Sequence, residues 1–380
     1  MYWAIVTVIV LLYLVEIGIS VPIATLVAGI INTPWILKVI WGPLVDYYLR
    51  LGRKRFILMG GVLAAACLFI VSFLDPLVAL LPFTVILFVG HVGIGFIDVS
   101  ADGWAIQISE EKERGKINGS MFAGLTFGWG LGSFLFSSIA FHYGFHVVFI
   151  VGSVIVLLTL LFPLIVKEDI MVKQRQKVAS LLLGEFKKKT TQLIALFSPI
   201  VSISFGILMF AVPLFMRTIL EMNIVQIGLI NAVFPFSMAG GALIGGITAD
   251  RWRRKTNLNV YLGLSILSTV SLILVDSWQS LAMVYILIGF FYGCWSSALM
   301  AMYMDISNPK VGASQFAILT SLCNVGEMGI GNTLAGSLVT MLGFGRTFLY
   351  TAWIYGPALL LLYLIRLKKE REIISSVHQG

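Results

Sequence analysis

Long apolar stretches recur along this chain at intervals too short to leave room for soluble domains between them. Twelve segments stand out, near 2–15, 22–45, 56–74, 79–108, 117–141, 147–166, 191–219, 224–249, 257–276, 279–304, 313–341 and 347–366. A helix needs about 20 apolar residues to cross a hydrocarbon core roughly 30 Å thick, and most of these segments reach that length. Strands of a membrane barrel would instead read as short alternating segments. Composition agrees, since 59% of residues are hydrophobic and 12% are charged, against about 25% charged in soluble domains. The prediction is an all-α membrane protein with about twelve transmembrane helices. The first is shortened: Tyr2 to Val15 reaches only about 21 Å at 1.5 Å per residue, so residues upstream of Met1 are expected to complete it unless it is truncated. No basic region precedes it, as a cleaved signal peptide would require.

One loop occurs twice. The run from Gly42 through Asp46, Arg50 and Gly52 to Arg53, Lys54 and Arg55 has a shorter cousin in Gly246, Asp250, Arg251, Arg253, Arg254 and Lys255, with the two aspartates 204 positions apart. The sequence from Ile108-Ser109 to Gly115 likewise parallels Ile306-Ser307 to Gly312. Two six-helix pseudo-repeats fit this spacing: a first half at 1–166, a basic linker at 167–190, a second half at 191–367 and a tail at 368–380. Val178 to Phe186 in the linker reads as a short helix on the membrane surface or as solvated chain. The net charge of +8 is concentrated in alternate loops, with only Arg217 and Arg346 near the other side. By the positive-inside rule, the basic loops and the C terminus are expected to be cytoplasmic, and the chain is expected to be a multi-pass protein of the plasma membrane. The charge therefore calls for membrane lipids as neighbours and not for nucleic acid.

The paired acidic and basic loops resemble the signature between the second and third helices of each half in the major facilitator superfamily. Within it, Glu16 to Ser20, then Pro34, Trp35, Lys38, Trp41, Pro43 and Asp46, together with Asp98, Asp102 and Trp104, resemble the muropeptide permease (AmpG-like) and acetyl-CoA transporter branch. The branch resemblance covers about the first 130 residues. It implies a twelve-helix alternating-access carrier with its substrate cavity between the halves, and a lean towards muropeptide, sugar-peptide or acyl-CoA substrates. Two features depart from the pattern: extra residues lie between Asp46 and Gly52, and the first helix begins abruptly. The glycine-proline signature of drug and proton antiporters is absent from Gly128-Trp129-Gly130-Leu131-Gly132.

Several polar residues interrupt the apolar segments. Asp46 and Asp250 fall at helix C termini, where the helix dipole disfavours negative charge by about 0.3–1 kcal/mol, so each needs partners. Arg53 or Arg55, Arg253 or Arg254, and the exposed amides of helices starting near Ala313 and Ile117 are the candidates. These would form cytoplasmic gates; the alternative is topology and solvation alone. Lys38 lies eight residues inside the membrane from Asp46, and Asp98 and Asp102 share a helix face. A charge at mid-helix costs on the order of 3 kcal/mol on insertion scales, which predicts an ion pair of Lys38 with Asp98 or Asp102, either static or exchanging during transport. Glu327, in Asn324-Val325-Gly326-Glu327, is a lone carboxyl near the middle of its helix and a candidate proton carrier, or else a structural hydrogen-bonding group. His91 belongs to a proton path or is a satisfied core residue. Trp129, Trp295, Tyr292 and Trp104 line a cavity or pack the interior.

Small residues four apart, at Gly124, Gly128 and Gly132, Gly241 and Gly245, and Gly289 and Gly293, allow close helix contact. The three cysteines lack metal-ligand spacing, and the four histidines form no metal cluster. No phosphate-binding loop occurs, and no nucleophile motif suggests an enzyme. The expected function is secondary transport of a small-molecule substrate by a monomeric, proton-coupled symporter or permease, with no cofactor beyond a proton or other ion gradient. The alternatives are a drug or metabolite efflux antiporter of the same superfamily and a non-transporting scaffold that binds lipid or pigment.

Overall fold

The computed structural model describes residues 1–168, 177–222 and 224–365. Asp169, most of the linker's centre and the tail at 368–380 lie outside these residues. Within them every regular element is helical, as continuous apolar sequence without backbone partners in lipid requires.

Among the described residues, ten helical segments are long and apolar enough to cross a membrane. The last, Gly312–Leu364, is 53 residues long and consists of two helices joined at Gly343, whose backbone is non-helical, with a φ of 74° that glycine adopts without strain. The break that the sequence places between 341 and 347 falls at this residue. Tyr2–Glu16 is a shorter apolar helix containing a π-helical stretch, Ile5–Ile9. Over 178–186 the linker forms the helix Val178–Phe186, with Val178 and Glu185 buried; their seven-residue separation places both on one face.

The chain folds as two compact units. The first comprises 1–108, 124–179 and 309–321; the second comprises 109–123, 180–308 and 322–380. These units depart from the sequence halves by exchanging two short segments, and each exchanged segment carries the start of a helix.

In the first unit, Arg53–Val71 packs along Pro76–Ile108. Its apolar core gathers Ile5, Leu68, Phe83, Leu87, Phe136 and Phe149. In the second, Trp278–Ile306 packs along the helix ending at Arg251. Glycines set that contact: a Cβ on Gly241 would stand 1.9 Å from the Phe290 carbonyl, and one on Gly293 would stand 2.1 Å from that of Met238. Neither position can take a larger residue without separating the helices.

Candidate functional site

The first unit closes around Asp46. Asp46 ends the helix Lys38–Tyr47 and is fully buried, so its carboxylate must find donors at once. The backbone N–H and the hydroxyl of Ser314 both donate to Oδ2 at 2.6 Å. Ser314 lies in the first turn of the helix Gly312–Asn324, where backbone N–H groups have no intrahelical acceptor. Gly42 allows this approach, because a Cβ there would lie 2.8 Å from the Ser314 Cα. On the other oxygen, Arg53 Nη2 approaches at 3.4 Å. Arg53 is also fully buried and donates through Nη1 to Gln107, while its Nε has no acceptor among the described residues.

Glu168 holds the arginine's backbone. Its two carboxylate oxygens accept from the N–H groups of Arg53 at 2.6 Å and Lys54 at 2.9 Å, capping the helix that Arg53 begins. Lys54 Nζ reciprocates, donating to the carbonyls of Leu164 and Val166.

The second unit repeats the clasp with different chemistry. Asp250 accepts from the backbone N–H groups of Gly115 and Lys116, each at 2.7 Å and on separate oxygens. Gly115 must be glycine for this, since a Cβ would meet the Gly246 carbonyl at 2.4 Å. Arg254 Nη1 bonds Asp250 at 2.9 Å, and its Nε bonds Asp305 at 2.9 Å. Its Nη2 donates to the Glu111 carbonyl. Arg114 in turn reaches Asp305 at 3.3 Å and the Met304 carbonyl at 2.9 Å.

Of the arginines named from sequence, Arg53 and Arg254 occupy these networks, and Arg55 and Arg253 do not. Arg55 and Arg253 are exposed and make no ion pair among the described residues. The reason is geometric: Arg55 follows Arg53 by two residues and projects from nearly the opposite helix face. Arg253 is the extended residue capping its helix.

Two further sites lie within the spans. Lys38 pairs with Asp98 at 2.7 Å and lies 3.6 Å above the Trp35 ring. Lys38 begins a new helical stretch at the break after Leu37, between Pro34 and Pro43. Asp102, one turn on from Asp98, is buried. In the second unit, Tyr292 donates its hydroxyl to Glu327 Oε2 at 3.0 Å. Glu327 lies in a π-helical stretch, Val325–Gly331, of the kind that often marks functional sites, and Asn324 immediately precedes that stretch. Tyr292 stacks on Phe205 and meets Trp295 edge-on.

His91 is buried and its Nδ1 donates to the Ile31 carbonyl at 2.8 Å. Trp129 stacks against Trp3, and its buried Nε1 finds no acceptor among the described residues. Neither residue joins the Lys38–Asp98 pair directly.

Sequence reasoning missed Ser314, Gln107, Glu168, Arg114 and Asp305. Gln107 and Asp305 were legible, because each immediately precedes an Ile-Ser pair of the internal repeat. Glu168 had no such signal, since its acceptor role depends on where the chain returns in space.

Comparison with known proteins decides the family. The Major Facilitator Superfamily model matches residues 1–326 and again residues 194–379. The chain belongs to the Major Facilitator Superfamily. Its transporter character is shared by a relative, the AmpG 2 transporter candidate of Rickettsia typhi (strain ATCC VR-144 / Wilmington), which is 24% identical over 360 residues covering 88% of this chain and 86% of the relative. Among solved structures, the human organic anion transporter MFSD10 (TETRAN) superposes with a TM-score of 0.75 at 14% identity, over 94% of this chain and 89% of its own. The E. coli fucose:proton symporter FucP superposes with a TM-score of 0.75 at 14% identity, covering 97% and 96%. A bacterial homologue of the iron transporter ferroportin, in an outward-facing state, gives 0.72 at 14% identity, over 96% and 94%. At these identities the structural likeness establishes the fold of this superfamily member.

Proposed function

We propose that this superfamily transporter moves a small organic solute across the plasma membrane by alternating access, driven by protons. The paired clasp carries the proposal. In each unit an aspartate ending one helix binds the amides beginning another, at Asp46 with Ser314 and at Asp250 with Gly115 and Lys116. Such a contact can be made and released without unfolding either helix, because on release water takes over as partner to both groups. The two clasps act as gates on the cytoplasmic side, where the basic loops and the C terminus lie.

Glu327 with Tyr292 is the proposed proton carrier, since a phenol can hold either form of the acid. Lys38, held by Asp98 and Trp35, is the proposed contact for an acidic group of the solute. A muropeptide, sugar-peptide or acyl-CoA solute suits that contact, and the AmpG-type relative favours the first.

The test is uptake of muropeptides and a mixed metabolite library into proteoliposomes, with and without an imposed pH gradient. Accumulation that follows the gradient and is lost in Glu327→Gln is the expected result. Accumulation indifferent to the gradient would refute proton coupling, and absence of uptake from folded protein would refute the substrate assignment.

A further inference from the structure

Lys38, Asp98 and Asp102 bring one ammonium to two carboxyls inside a membrane span. Lys38 bonds Asp98 Oδ2 at 2.7 Å, and both Lys38 and Asp102 are buried. Asp102 makes no hydrogen bond or ion pair among the described residues, yet Asp98 and Lys38 both lie close enough to act on it electrostatically. Asp98 is the more open carboxyl, with 25% of its side chain exposed. A buried carboxylate without donors or a cation is costly, and of two carboxyls sharing a site one holds its proton more tightly. The single ammonium therefore balances one aspartate and leaves the other to carry a proton.

The other charged and titratable groups nearby are engaged elsewhere. His91, two turns before Asp98 on the same helix face, acts on Lys38 and keeps its Nδ1 on the Ile31 carbonyl at 2.8 Å. Tyr2 stands beside the His91 ring and donates its hydroxyl to the Leu87 carbonyl. From the helix Arg53–Val71, Arg53 passes Gly103, where a Cβ would stand 2.6 Å from its Nε, and it pairs with Asp46. Val21–Ile36 carries no titratable residue, and neither do residues 311–321, whose Ala313 and Ala317 cluster with Val99.

We infer that Lys38, Asp98 and Asp102 form a proton switch, in which the ammonium passes from Asp98 to Asp102 only as a proton passes from Asp102 to Asp98. Charge is conserved, because the three groups amount to one ammonium, one carboxylate and one carboxylic acid before and after the exchange. The O–H bond of Asp102 is lost and one on Asp98 is gained, which delivers the proton from the buried carboxyl to the more open one. The two aspartates are about 6 Å apart along the helix axis, a step that the flexible four-carbon stem of a lysine can cover. The backbone beneath it is held: Trp41 packs on Gly95, where a Cβ would stand 2.9 Å from its Cδ1, and its Nε1 donates to the Pro34 carbonyl at 3.2 Å. Where an acidic solute takes Lys38, both aspartates lose their cation and a second proton enters with the solute. That consequence rests on the solute contact proposed above; the switch itself does not.

Infrared difference spectroscopy of the intact protein in lipid nanodiscs at neutral pH counts protonated carboxyls through their C=O stretch. A Glu327→Gln background removes the acid of the second unit's site, and comparison between variants cancels the rest. Asp102→Asn should abolish one band. Asp98→Asn should abolish the same band, because Lys38 then turns to Asp102 and displaces its proton. Lys38→Met should instead add a band, with both aspartates protonated. A band that survives Asp98→Asn would show Lys38 fixed on one partner and overturn the exchange. No band lost in Asp102→Asn, or none gained in Lys38→Met, would overturn the proton on Asp102. Thermal melts report which variants fold, and Asp98→Ser replaces Asp98→Asn if the latter does not. If the bands behave as expected while uptake ignores an imposed pH gradient, the proton-driven reading fails and the switch stands. If uptake follows the gradient and the bands do not change, the switch fails and that reading stands.

Discussion

The environments of Asp46 and Asp250 solve one problem with different materials. Both aspartates sit where a helix dipole repels them, and both are relieved by the free amides at another helix start. Around Asp46 the remaining contacts are a serine hydroxyl and a single arginine, both buried, and that arginine also holds the half-buried Gln107. Around Asp250 they form a chain of alternating charges, Asp250–Arg254–Asp305–Arg114. An arginine paired with one carboxylate loses its ion pair when that carboxylate goes, whereas an arginine shared by two carboxylates keeps one. The two units share the geometry of the contact and differ in its electrostatics.

This comparison can be broken by substitution. Asp46→Asn should have the largest effect, because it leaves fully buried Arg53 without its carboxylate partner, a loss of about 3–5 kcal/mol. Thermal melting of the purified protein would show a clear drop, and an unchanged melt would mean that Arg53 is hydrated. Asp250→Asn should cost less, about 1.5–3 kcal/mol, since Arg254 keeps Asp305; a larger loss than at Asp46 would reverse the ranking of dependence. Gly115→Ala and Gly42→Ala should each cost about 1–3 kcal/mol through overpacking. Gly115→Ala should be the worse, because its Cβ would meet a carbonyl at 2.4 Å, against 2.8 Å to a Cα for Gly42. The smallest effect belongs to Glu168→Gln, which keeps an acceptor over the Arg53 and Lys54 amides and loses the charge facing a helix N terminus, about 0.3–1 kcal/mol. A loss no smaller than that of Asp250→Asn would show that Glu168 does more than cap.

Helical membrane architecture was legible because apolar runs of span length admit few other folds, and the duplicated loop located both aspartates. Choosing the arginine was not possible from sequence: Arg53 and Arg55 are equivalent as text and differ only once the helix from Arg53 sets which face each occupies. The Lys38 pairing was narrowed to Asp98 or Asp102 by helical spacing, and the partner observed is Asp98. The tyrosine at Glu327 illustrates the opposite case. Tyr292 stands out in the sequence only as one of several aromatics, and its bond to Glu327 spans 35 residues and follows from helix packing that no local pattern encodes. The break between the last two spans was legible for a local reason, since Gly343 takes a positive φ that ends one helix before the next begins.

Pulsed electron paramagnetic resonance on Arg55→Cys and Arg253→Cys, with Cys67, Cys294 and Cys323 replaced, would test alternating access most directly. Both label sites are exposed and stand outside the clasps. In lipid nanodiscs the account predicts at least two distance populations between the labels, with the longer one gaining weight when Asp250→Asn is added. A single distance that does not respond to that substitution would contradict it.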